Sequence, residues 1–175
     1  AAATFSRRPY DPPENAPAIL HALAALDKGE AEEARELLQP LTSGHPLTVG
    51  IAHYYLGVLA AQDEDWDETR KYWNAAAANG YRTPYFIDNM GELYHRLAET
   101  RLDDGDVEGA YVAAQEAYRH TPDDNRLGIL LAQINERFGY QAAQSSKWEQ
   151  AYDHWAQARE YDSGSFRLAY NQALA

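Results

Sequence analysis

The sequence predicts an all-α solenoid, and three observations carry that prediction. An octet occurs twice: Trp66 to Trp73 reads W-D-E-T-R-K-Y-W, and Trp148 to Trp155 reads W-E-Q-A-Y-D-H-W. The two tryptophans of each octet stand two helical turns apart, so both indoles lie on one face of one helix. The same frame fits Ala31 to Leu38 and Val107 to Ala114, with smaller apolar residues at the Trp positions. Its short-residue position falls at Ala34, Thr69, Ala110 and Ala151, giving spacings of 35, 41 and 41 residues. Spacings in that range, with two helices per unit, mark an α-solenoid. Alanine is abundant and β-branched residues are scarce, a balance that favours helix over strand.

Composition narrows the function. The chain has 175 residues and a formal net charge of −12, and no basic run is longer than Arg7-Arg8. Phosphate backbones need clustered Lys and Arg, so nucleic acid is excluded as a partner. With no cysteine, disulfides and thiolate metal sites are excluded. No apolar run approaches the ~18 residues of a membrane span, so insertion is not expected. Thirteen Tyr and four Trp against four Phe suggest ring faces wedged between helices with polar atoms reaching outward. The chain opens on Ala1-Ala2-Ala3 and stops at Leu174-Ala175 inside an apolar-periodic stretch, so it reads as a piece of a longer protein whose compartment is left open.

Residues 1 to 17 carry Pro9, Pro12, Pro13 and Pro17 and read as an extended lead-in or linker. Helical periodicity then runs over 18–175. Ile19, Leu20, Leu23 and Leu26 build the first apolar face, and Asp27-Lys28-Gly29 stops that helix. A second helix from about Glu30 to Leu41 is closed by His45-Pro46. A third runs from about Leu47 to Ala61, and Asp63-Glu64-Asp65 leads into the first Trp octet, whose helix ends at the strong breaker Asn79-Gly80. Long helices are expected from about Tyr85 to Leu102 and Asn125 to Ala143. Their partners cover Val107 to His120 and the second octet, and Ser165 to Ala175 starts a terminal helix. The repeats thus fall at about 18–46, 47–84, 85–122 and 123–164, joined by connections short enough to make consecutive helices antiparallel neighbours.

These residues resemble the tetratricopeptide repeat family. Leu56-Gly57 and Phe138-Gly139, with Leu97-Ala98 as a weaker version, are similar to the family's Leu-Gly pair. Ala34-x3-Leu38, Thr69-x3-Trp73-x2-Ala76, Ala110-x3-Ala114-x2-Ala117 and Ala151-x3-Trp155-x2-Ala158 are similar to its second-helix pattern. Pro46, Pro84 and Pro122 match its closing proline, Pro84 three positions late. The second repeat also looks Sel1-like. The resemblance implies a right-handed α-α superhelix of four helix pairs plus a terminal helix, and spacings of 41 against the family's usual 34 make the first helices of the third and fourth units about two turns longer. It implies that Leu38, Trp73 and Trp155 fill the space between one repeat and the next, and that all four tryptophans are core.

No nucleophile motif, phosphate-cradling loop or His-Glu-x-x-His occurs, and no two of His21, His45, His53, His95, His120 and His154 stand three or four apart. Catalytic, cofactor and metal sites are therefore not expected. The clusters Asp63-Glu64-Asp65 and Asp103-Asp104 precede helices, where acids cap free N–H groups. Carrying the family's groove positions across gives Ile19 and Leu23, then Tyr54 and Val58, then Glu92, His95 and Glu99, then Gln133, Glu136 and Tyr140. That wall lacks the basic, Asn-rich clamp of the chaperone-binding members, with only Arg96 fitting it. An acidic, Tyr-containing wall implies a protein or peptide partner with a basic or basic-apolar segment. The other readings are a non-catalytic arm of a larger enzyme and self-association through the C-terminal repeat.

Overall fold

A computed structural model describes residues 16–174 and is all-α, with no strand among the described residues. In chain order the helices are α1 (Ala16–Asp27), α2 (Ala31–Leu38), α3 (Pro46–Gln62), α4 (Trp66–Ala78) and α5 (Pro84–Asp103). After them come α6 (Val107–His120), α7 (Asn125–Gln144), α8 (Trp148–Tyr161) and α9 (Phe166–Leu174). The prolines expected in a lead-in lie outside the described residues except Pro17, which stands in the first turn of α1, where a missing N–H costs nothing. The second helix stops earlier than expected. Pro40 cannot donate an i→i−4 bond, so the chain tightens after Leu38 into a 3-10 turn, Gln39–Thr42. The chain divides into two compact units, one ending at Arg82 and one beginning at Thr83.

Each helix pair turns on the same device. The amides of Glu30, Asp65, Asp106 and Lys147 donate to the carbonyls of Ala25, Ala60, Arg101 and Ala142 at 2.9, 3.0, 2.8 and 2.9 Å. This is the six-to-one bond of a Schellman C-cap, and it requires a left-handed residue just before the donor. That residue is Gly29, Glu64, Gly105 or Ser146, with φ of 78°, 58°, 83° and 57°. All four stand in the 35–41–41 register of the small residues, so the backbone repeats where the side chains do. Asp65, Asp106 and Asp124 and the Thr83 hydroxyl accept amides of the helix that follows, and Pro46 and Pro84 open α3 and α5.

In the first unit, α1, α2 and α3 close over Ala22, Ala34, Leu38 and Leu56, with Ile19 buried beside them. Ile19 is therefore core rather than groove. The small positions Ala34, Thr69, Ala110 and Ala151 are all fully buried, and the Thr69 hydroxyl is satisfied by the Asp65 carbonyl at 2.7 Å. Trp73 lies against Gly57 of its own pair and donates Nε1 to the Tyr54 carbonyl at 2.9 Å. Trp155 lies against Gly139, but its buried Nε1 has no hydrogen-bond partner among the described residues. Trp155 also joins a buried cluster with Leu168 of α9, so it wedges both within its pair and toward the next helix. The first Trp of each octet behaves differently: Trp66 is half-buried and Trp148 is 50% exposed, because both open their helices beside the turn.

α5 and α7 are each 20 residues against 17 for α3, so their extra length over α3 is under one turn rather than two. Stability should respond to the left-handed positions. Glu64→Gly and Ser146→Gly remove a backbone penalty of about 1 kcal/mol each and should raise the urea midpoint. Gly105→Ala should lower it by a similar amount, although an added Cβ there meets no atom within 4 Å. Unchanged midpoints in all three would contradict the shared turn.

Candidate functional site

The groove positions divide between the two units. Tyr54 and Val58 lie on α3, and Tyr54 is half-buried, its ring stacked on those of Trp73 and Tyr81 at 6.1 and 4.6 Å. That is a packing role, which spacing alone could not separate from a binding one. Val58 is half-buried on the same helix.

In the second unit the predicted acids are brought together, but they are not bare. Glu92 on α5 accepts Arg96 Nε at 2.9 Å and Arg126 Nη2 of α7 at 2.7 Å. Arg126 also grips Asp124, its Nη2 at 2.7 Å from Oδ2, so one guanidinium ties the start of α7 to the middle of α5. Arg96 turns a second nitrogen to Glu99 at 3.2 Å. Burial pushes the Glu92 carboxyl upward, but the hydrogen bond and charge of Arg126, with Arg96, outweigh it and hold the group below the usual carboxylate range. The hydrogen bond from Arg126 likewise depresses Asp124, and Arg126 itself is raised by Asp124 and Glu92.

The arrangement recurs one repeat on. Arg126-Leu127 and Arg167-Leu168 stand 41 residues apart, and both leucines are 2% exposed. Arg167 of α9 reaches back to Glu136 of α7 at 2.6 Å, as Arg126 reaches back to Glu92. Glu136 is buried and also accepts the Tyr140 hydroxyl at 3.2 Å, while Asn171 Nδ2 donates to that hydroxyl at 2.8 Å. Gln133 is left exposed on α7. His95 is buried, with Nε2 at 3.4 Å from Glu99 and Nδ1 unpartnered, so it is no part of an open wall.

The expectation of an acidic wall is thus corrected. Glu92, Glu99 and Asp124 face Arg96 and Arg126, and Glu136 faces Arg167, so the face carries an excess of one acid. Arg126 and Arg167 were the missed residues; the Arg-Leu pair recurring at the start of successive first helices was their signal. His53 and His120 pack, with His53 Nδ1 2.8 Å from the Val49 carbonyl and His120 stacked on Tyr94 at 5.8 Å, while His21 and His45 are exposed. Among the described residues no group of three or more His, Asp or Glu could hold a metal ion, and no helix is long and apolar enough to cross a membrane.

A second concave feature lies elsewhere in this unit. Tyr111, Gln115, Tyr118 and Arg119 of α6, Leu131 of α7 and Tyr161 of α8 line a cleft of about 370 Å³. Tyr111 is braced edge-on against Phe138 at 6.0 Å.

No family model matches the chain, and no curated protein matches it. A solved structure described as "Functional Characterization of Pseudomonas Aeruginosa pilF" aligns with 90% of this chain at 20% identity and a TM-score of 0.39. The chain spans 65% of that protein's chain, under two thirds of its length.

Arg126→Ala should let both Glu92 and Asp124 titrate at higher pH, read by carboxyl-carbon NMR. Both groups are depressed in the fold, so their stabilisation is present above the unfolded values of about 4 and is lost as pH falls through the folded ones. Wild type and variant should therefore differ at neutral pH by about 1 kcal/mol or less and converge in strong acid.

Proposed function

We propose that the chain is a helical-repeat interaction module, without catalysis of its own, that holds a segment of a protein partner along the α5–α7–α9 face of its second unit. The reading rests on one observation: guanidinium bridges from Arg126 to Glu92 and from Arg167 to Glu136 link successive first helices across this face. A face fixed this way is organised before the partner arrives, which lowers the ordering cost of binding. Gln133 stands exposed on α7 to meet a peptide backbone, and the 38%-exposed Tyr140, its hydroxyl held by Glu136 and Asn171, offers ring surface beside it. Glu99 shares its one arginine, Arg96, with Glu92 and is the acid least neutralised. The partner segment suited to this face carries one basic side chain among polar and apolar ones, rather than a basic run.

A second reading, self-association, draws on α9, where Phe166, Tyr170 and Leu174 are 83%, 55% and 63% exposed at one-turn spacing. Light scattering separates the two readings, because only self-association makes the mass rise with concentration.

Capture from a peptide array tests the first reading. Gln133→Ala should weaken capture about ten-fold if it lies at the centre of the contact. Glu99→Gln should reduce the preference for Lys-bearing over Ala-bearing peptides by a few fold while leaving capture itself largely intact. Both side chains are at least part-exposed, so the fold should survive. Unchanged capture and preference in both variants would reject the face.

A further inference from the structure

The cleft between α6 and α8 shares only α7, through Leu131, with the face just described, and its lining has a specific spacing. Tyr111 and Tyr118 are two helical turns apart on one face of α6, about 10.5 Å along the axis at the α-helical rise. Gln115 lies between them and Arg119 one turn beyond it, while Leu131 of α7 and Tyr161 of α8 complete the lining. The tyrosines are 36%, 54% and 49% exposed in chain order, whereas Leu131 is 8% exposed, so ring faces stand open around an apolar patch.

We propose that this cleft binds an extended, proline-rich segment of another protein, in the Pro-x-x-Pro register with a carboxylate on its flank. A polyproline helix advances about 9.3 Å per turn of three residues, so two prolines one turn apart meet two tyrosines two α-helical turns apart. Its backbone makes no internal hydrogen bonds, and the Gln115 amide stands between the two rings to meet the carbonyls of the intervening residues. Aromatic faces with a polar rim suit pyrrolidine rings, and a rigid segment loses little entropy on docking. Arg119 has one nitrogen on Glu116, which leaves further N–H donors for a flanking acid. The chain's net charge of −12 favours a basic segment at long range, but at contact distance the one cation of the lining, Arg119, selects an acid.

The probe is a synthetic Pro-x-x-Pro peptide followed by glutamate, titrated into the full chain with amide NMR shifts as the readout. Shifts should centre on Tyr111, Gln115, Tyr118 and Tyr161, and alanine at both peptide prolines should abolish them. Tyr118→Ser and Tyr161→Ser should each weaken binding about ten-fold with the helical circular dichroism unchanged. Arg119→Gln should weaken the glutamate-bearing peptide more than its glutamine version. The chain itself contains Pro9-Tyr10-Asp11-Pro12, so the titration is repeated on Pro9→Ala/Pro12→Ala. Tighter peptide binding in that variant would assign the cleft to the chain's own segment and overturn the proposed partner. Shifts elsewhere, or equal shifts from the alanine peptide, would overturn the cleft.

Discussion

The close approach of an indole to a glycine is the contact on which the pairing of α3 with α4 and of α7 with α8 depends. Gly57 faces Trp73 and Gly139 faces Trp155, and a Cβ at either glycine would stand well inside van der Waals contact with the nearest indole atom. The absence of one carbon lets a side chain as large as Trp lie 4–5% exposed between two helices. The other two pairs make the same exchange with different sizes. Ala22 with Leu38 and Ala98 with Ala114 occupy the matching register positions, all fully buried. Where the second helix contributes Trp, the first gives up its side chain. Where it contributes Leu or Ala, alanine suffices.

Pairing alone would leave four hairpins with no fixed direction. The recurrent Schellman turn sets where each second helix begins, and apolar packing such as Trp155 on Leu168, with the arginine bridges beside it, orders α5, α7 and α9. The bridge to Glu136 differs in kind from that to Glu92. Glu92 has two arginines and substantial water, whereas Glu136 is buried and satisfied by one arginine and one tyrosine hydroxyl. Removing a partner from a buried acid strands a charge, so α9 is held by the bond least tolerant of change.

The architecture was largely legible in the sequence, because the features that specify it are local or periodic. The Trp octets, the buried small residues and the Asn79-Gly80 stop each lie within one helix or turn. Two of the four left-handed turn residues escaped notice, since Glu64 and Ser146 carry side chains where glycine is the usual signal. Pro40 was overlooked as a helix stop. The candidate site was less legible for a physical reason: charge at a wall depends on partners distant in sequence. Glu92 read as a free acid until Arg126, 34 residues on, was found against it, and Glu136 until Arg167, 31 residues on. The tyrosine cleft was illegible for the same reason, because Tyr161 joins Tyr111 and Tyr118 only through the packing of α8.

A double-mutant cycle at Gly57 and Trp73 tests the pairing contact most directly. Gly57→Ala alone should destabilise by about 1–3 kcal/mol through overpacking, and Trp73→Ala alone by about 3–5 kcal/mol through the cavity it leaves. If the indole occupies the place of the missing Cβ, the double variant should cost less than the sum by at least about 1 kcal/mol, because the alanine then enters space the ring has vacated. Additivity within about 0.5 kcal/mol would contradict the contact.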